Sequence, residues 1–170
     1  WAKIHNLKQA AKTYNFLTTH GIEQYGDLTA KIAEVQAASG QATEALKDVE
    51  ARLSDMAVLI KNITTYQKTK PAYDAYRKAK DRGSCRAAHE RDIILHEAAV
   101  KAIKGAGISK LPDIAALQTE YAKLQERKEA LYADYGKLKK QVKEYDVIKR
   151  NIDSILRTER PSEREKEAER

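Results

Sequence analysis

Apolar residues recur at alternating steps of four and three along two long stretches of this chain, and little else folds around such a pattern. The first stretch places Leu28, Ile32, Val35, Ser39, Ala42, Leu46, Val49, Leu53, Met56, Ile60 and Ile63 in register, with only Ser39 polar. The second runs Ile114, Leu117, Tyr121, Leu124, Lys128, Leu131, Tyr135, Leu138, Val142, Tyr145, Lys149, Ile152 and Leu156, broken only by its two lysines. Four-three alternation sustained over about five or six heptads is the pattern of a coiled coil, because it keeps one apolar stripe facing a partner helix.

Two seams in one chain pair most simply with each other, since the segment between them can reverse the chain. The rival arrangement pairs each seam with another molecule. If Ile63 lies near Ile114, facing positions sum to about 177, so that Met56 meets Tyr121, Leu53 meets Leu124 and Ala42 meets Tyr135. Small residues then oppose large ones, as a tight seam requires. Ser39-Gly40 falls near Gly136, which marks a place for a bend. The expected fold is all-α: an elongated antiparallel coiled-coil hairpin, ~55–65 Å long at 1.5 Å per residue. Its long helices cover about 27–66 and 112–157, with a shorter helical cap over 71–104 at the turn-around end.

Three further pieces complete the expected division. Residues 1–21 form an N-terminal helix, a junction to an upstream domain, with Ile4, Leu7, Ala11, Tyr14 and Leu17 at helical spacing and Gly21 suited to a left-handed cap. Residues 22–157 form the hairpin. In its cap a helix restarts at Pro71, and Asp81-Arg82-Gly83-Ser84 turns the chain. Ser84 then caps a helix over 85–104 whose Ile93, Leu95, Val100 and Ile103 are apolar. Residues 158–170 alternate charge with almost no apolar content and are expected to be disordered.

Composition agrees with long helices. Hydrophobic residues make up 42% and charged residues 34%, with Gly 7 and Pro 3. Nine tyrosines accompany one Trp and one Phe, so the bulky side chains carry polar handles that suit narrow seams better than a wide dry core. Cys85 is the only cysteine and has no partner for an internal disulfide. No apolar run of ~18 residues is present, so no membrane span is expected. With Trp1 at its start and no signal-like segment, the chain reads as a piece of a longer cytoplasmic protein.

The net charge of +7 is concentrated. Residues 61–104 hold eleven Lys/Arg against five Asp/Glu, a net of +6. Within them Lys68, Lys70, Arg77, Lys78, Lys80, Arg82, Arg86 and Arg91 gather near the turn-around end, interleaved with Tyr66, Tyr73 and Tyr76. Cations can neutralise phosphates and tyrosines can stack on exposed bases, so this stretch is the candidate nucleic-acid surface. The plainer alternative is a solvated helical tip with tyrosines packed beneath it. A second basic run, Lys137, Lys139, Lys140, Lys143, Lys149 and Arg150, is diluted by Glu144 and Asp146 and reads as a solvated flank.

Chemistry beyond binding finds little support. Cys85, His89 and His96 are spaced to share a helix face, yet the sequence names no fourth ligand for a structural zinc, and no metal or cofactor is expected. A Cys85–His89 nucleophile on one straight helix has no oxyanion hole or substrate pocket, and Tyr121, Tyr135 and Tyr145 are better explained as seam residues. No small-molecule substrate is expected.

Three segments carry a resemblance: WAKIHNLKQAAKTYNFLTTHG, KTKPAYDAYRKAK and KLPDIAALQTEYAKL. In this order and spacing they resemble the C-terminal helical region of relaxases (mobilization nucleases) of Gram-positive plasmids and integrative conjugative elements, over about residues 1–157. The resemblance implies a parent that nicks one DNA strand at a transfer origin, using a catalytic tyrosine and a histidine-bound metal in an N-terminal domain. The four histidines here, His5, His20, His89 and His96, include no pair separated by one residue, so no catalytic residue carries over. What the resemblance implies for this chain is an accessory region that contacts DNA (single-stranded or at the origin), a coupling protein or other relaxosome proteins.

Overall fold

The computed structural model describes residues 2–158; Trp1 and the charged tail over 159–170 lie outside the described residues. Four helices follow in order: α1 (Ala2–Thr19), α2 (Tyr25–Lys78), α3 (Arg82–Gly105) and α4 (Ile114–Thr158). The chain is all-α, with no strand among the described residues. None of these helices is long and apolar enough to cross a membrane.

Local signals set the helix ends. At the end of α1, Gly21 takes φ +62°, and the amides of Gly21 and Ile22 donate to the carbonyls of Thr18 and Leu17. These two bonds satisfy carbonyls that would otherwise be orphaned, and a side chain at Gly21 would be strained. Asp27 then reaches back to accept the Gln24 amide at 3.2 Å, one half of a capping box that starts α2. Gly107, φ +73°, closes α3 in the same way as Gly21 closes α1. Asp113 accepts the Ala115 amide at 3.3 Å and opens α4.

In three places the helices depart from the sequence reading. α2 does not stop near residue 66 and restart at Pro71; it runs through the proline to Lys78. An interior proline removes one backbone bond and costs ~3 kcal/mol. Here Pro71 is exposed, while Tyr66 and Tyr73 on either side of it both stack on His96, and that packing holds the helix together. α3 begins at Arg82 rather than after Ser84, because the Asp81 carboxylate accepts the Ser84 amide at 3.1 Å and takes the capping role. α3 is also interrupted at His89, whose φ −126° and ψ 24° are not helical. Through Gly40 and Gly136, by contrast, α2 and α4 continue as helix.

The first of two compact units comprises α1, α2 as far as Ala45, and α4 from Leu131. Its core holds Phe16, Leu28, Ile32, Val35, Tyr145 and Ile148, with Leu17, Ile22, Val142 and Ile152 packed against it. Leu28 is fully buried, which alone is worth ~1.5–3 kcal/mol relative to an exposed side chain. The Tyr25 hydroxyl donates to Asp153 at 2.7 Å, and Lys149 donates to the other carboxylate oxygen at 2.8 Å. Lys149, one of the two lysines that interrupt the second seam, thus keeps its stem half-buried and its charge paired. Of the expected stripe on α1, only Leu17 packs inward. Ile4, Leu7 and Tyr14 are 61–72% exposed, while Thr13 and Phe16 turn inward, and Asn151 donates to the Thr13 hydroxyl at 3.0 Å.

The second unit comprises residues 46–130: the rest of α2, all of α3 and the start of α4. Leu46, Val49, Leu53, Ile63, Ile93, Ala99 and Ile103 are its buried apolar residues. On α3 the inward row is Ile93, His96, Ala99 and Ile103, whereas the apolar Leu95 is 40% exposed. Lys128, the other lysine within a seam, pairs with Glu50 at 2.8 Å. Every position of the first seam is buried or half-buried, and so is the second from Ile114 to Ile152, with Leu156 exposed.

Candidate nucleic-acid interface

The basic stretch occupies the last turns of α2, the Ala79–Asp81 link and the first half of α3, all in the second unit. Lys68 and Lys70 lie on α2, and Arg77 and Lys78 fill its last turn, where cations also offset the negative helix end. Lys80 sits in the link, and Arg82, Arg86 and Arg91 follow on α3. All eight are exposed.

Two of the eight are committed to neighbours. Lys70 donates to Asp74 at 2.6 Å, and that bond raises the lysine above its ordinary range while holding the aspartate below the usual carboxylate range. The Arg86 guanidinium lies 5.9 Å from the centre of the Tyr76 ring; a hydrogen bond to Tyr76 and then the charge of Glu97 raise it above the usual arginine range. This contact ties the end of α2 to the start of α3. Lys68, Arg77, Lys78, Lys80, Arg82 and Arg91 form no ion pair among the described residues.

The tyrosines are occupied differently from what base stacking needs. Tyr73 and Tyr76 are half-buried, with ring centres 6.1 Å apart. Tyr73 stacks on His96 at 4.2 Å with planes 20° apart, and Tyr66 stacks on His96 at 4.8 Å. Tyr76 carries Arg86 over its ring. Each tyrosine thus spends a face on the protein.

His96 is the residue that the sequence reading misplaced. It entered only as a third member of a metal set with Cys85 and His89. The break at His89 removes the straight face those three were meant to share, and among the described residues no three His, Cys, Asp or Glu side chains gather to hold a metal. His96 is instead 4% exposed, and its Nδ1 lies 3.0 Å from the Thr69 hydroxyl oxygen. Thr69 donates its own proton to the Thr65 carbonyl at 2.7 Å, so its oxygen accepts from Nδ1–H and fixes the tautomer. Desolvation holds the imidazole below the ordinary histidine range, against the backbone of Tyr66 and the charge of Asp74, which favour the cation. The apolar spacing Ile93–His96–Ala99–Ile103 was a signal that this histidine faces inward.

The second basic run, on α4, contrasts with the first. Lys137 pairs with Asp134 at 3.0 Å, Lys149 with Asp153, and Lys139 lies 5.7 Å from the centre of the Tyr135 ring. Comparison with known proteins finds no matching family, no matching curated protein and no matching solved structure.

Proposed function

We propose that this chain is a non-catalytic accessory region of a DNA relaxase, acting in conjugative transfer by binding DNA, with a coupling protein or another relaxosome protein as a further partner. The observation that carries the nucleic-acid reading is the set of six exposed cations at the α2–α3 tip with no ion pair among the described residues. A cation already held by a carboxylate must give up that partner before it can release counterions from DNA; these six need not. The occupied faces of Tyr73 and Tyr76 favour contact through the phosphate backbone over stacking on unpaired bases. The support for placing the tip at the end of an antiparallel seam is the register of two contacts. Tyr25–Asp153 in the first unit and Glu50–Lys128 in the second each sum to 178, close to the 177 of the expected pairing.

Binding of labelled single- and double-stranded oligonucleotides, followed by anisotropy, tests this reading. Six phosphate contacts lose about a thousandfold in affinity between about 50 and 200 mM salt, with no preference for the single strand expected. Absence of binding at low salt would sink the proposal. The alternative is a scaffold with no nucleic-acid role. It is favoured by the exposed Ile4, Leu7 and Tyr14 on α1 and by a cleft of about 680 Å³ in the second unit bordered by Met56, Leu59, Ala102 and Leu124. That reading requires no oligonucleotide affinity at any salt concentration.

A further inference from the structure

Behind the tip, within the second unit, Tyr73 of α2 and His96, Glu97, Val100, Lys101 and Lys104 of α3 line a cavity of about 310 Å³. None of the three α3 groups that matter here, His96, Lys101 and Lys104, belongs to the basic set picked out by the sequence. Residues 97, 101 and 104 recur at four and three along α3, so Lys101 and Lys104 rise from one face, one turn apart. Both are exposed, and neither forms an ion pair among the described residues. Glu97, on the same rim, is close enough to Arg86 that its charge helps to hold that guanidinium protonated, second to the hydrogen bond Arg86 donates to Tyr76.

The histidine gives the cavity its chemistry. Nδ1 lies 3.0 Å from the Thr69 hydroxyl oxygen, and the ring borders this cavity. Tyr66 and Tyr73 hold the ring between them at 4.8 and 4.2 Å, so its edge is aimed rather than free to rotate. A rigid imidazole edge beside two unpaired ammonium groups is a receptor for a tetrahedral oxyanion.

We propose that this cavity binds a phosphate group, with Lys101 and Lys104 neutralising the oxyanion and Nε2 of His96 sharing one proton with a phosphate oxygen. A monoester is largely a dianion above its second pKa of about 6, and a diester has no acidic proton to share. In either case the shared proton is drawn from solution, so affinity rises as pH falls. The other groups facing the imidazole are Lys70 and Asp74, already paired with each other, Tyr66 and Tyr73 on α2, and Glu97 on α3. The source of the phosphate is either a DNA backbone or a free phosphate compound, and only the first rests on the nucleic-acid reading above.

The test follows the His96 imidazole resonance by NMR between pH 6 and 8, with inorganic pyrophosphate and with a duplex oligonucleotide as separate probes. The expected result is that both probes shift the resonance and move its titration upward. The double variant Lys101→Glu/Lys104→Glu, at exposed positions that leave folding intact, should weaken pyrophosphate binding at least tenfold. His96→Phe keeps a ring between the two tyrosines and should remove the pH dependence of binding. A response to pyrophosphate without any DNA binding keeps the site, assigns it to a free phosphate compound and removes the nucleic-acid reading. DNA binding with His96 moved by neither probe overturns the site and leaves the tip reading standing. No response to either probe, or an equal response in the double variant, also overturns the site.

Discussion

Both compact units close around a histidine set among aromatic rings, but they use it in opposite ways. In the first unit His20 is exposed at the end of α1, stacked on Phe16 at 4.0 Å, while the core beneath is apolar and is completed by Phe16 packing edge-on to Tyr145 at 5.0 Å. In the second unit the histidine is itself the core piece, buried between Tyr66 and Tyr73 and bonded to a buried threonine. An apolar closure is insensitive to solution conditions; a polar one fixes geometry and couples the fold to protons. The unit that carries the basic tip is the one with the polar closure.

The harshest way to break this comparison is to place a charge in each apolar core. Leu28→Asp in the first unit and Ile63→Asp in the second each bury an unpaired carboxylate where the native side chain is 0% exposed, at a cost of several kcal/mol. Thermal unfolding followed by circular dichroism should show a large loss of melting temperature for both; a native melting temperature would refute the packing described.

Acid should separate the two units. Because burial holds the folded His96 below its ordinary value of 6.5, the unfolded chain takes up a proton first as pH falls. The contribution of this site is therefore full above that pH and is lost as pH falls from the unfolded value towards the folded one. Denaturant unfolding of the native chain at pH 7.5 and 5.5 should show the loss, and His96→Phe should reduce it. An unchanged acid response in the variant would remove His96 from its central place.

The smallest effect expected is at the Tyr25–Asp153–Lys149 cluster of the first unit. Tyr25→Phe removes one exposed hydrogen bond, so it should lower the melting temperature only slightly. Lys149 stands above its ordinary range because of its bond to Asp153 and, next, to Tyr25, so the variant should lower the lysine slightly while leaving the Asp153 pair intact. A loss of several kcal/mol would show that the cluster does more than staple two helix ends.

How much of this was legible in the sequence differs along the chain. The seam positions were, because a four-three repeat over many turns leaves only one stripe for burial; even Ser39 and the two seam lysines fall where the repeat puts them. The inward face of α1 was not. Its inward row, Thr13 and Phe16, is not an apolar stripe, and the choice fell to tertiary contacts, Phe16 against Tyr145 and Thr13 against Asn151, that no local pattern encodes. The continuity of α2 through Pro71 was hidden for the same reason, since a residue 23 or more positions away, His96, supplies the packing that offsets the proline. The basic cluster was legible as composition. Which of its cations are paired, and that its tyrosines pack on the protein as the plainer alternative had it, is decided by tertiary contacts.

The central claim is that the tip cations, rather than net positive charge in general, hold the partner. The most direct measurement is the slope of log affinity against log salt for duplex DNA, in the native chain and in two triple variants. One, Arg77→Glu/Lys78→Glu/Lys80→Glu, alters the tip; the other, Lys139→Glu/Lys140→Glu/Lys143→Glu, makes the same charge change on α4. Each lost phosphate contact lowers the slope by about one, so the tip variant should lose about three and the α4 variant less than one. Equal losses in the two variants, or an unchanged slope in the tip variant, would contradict the account.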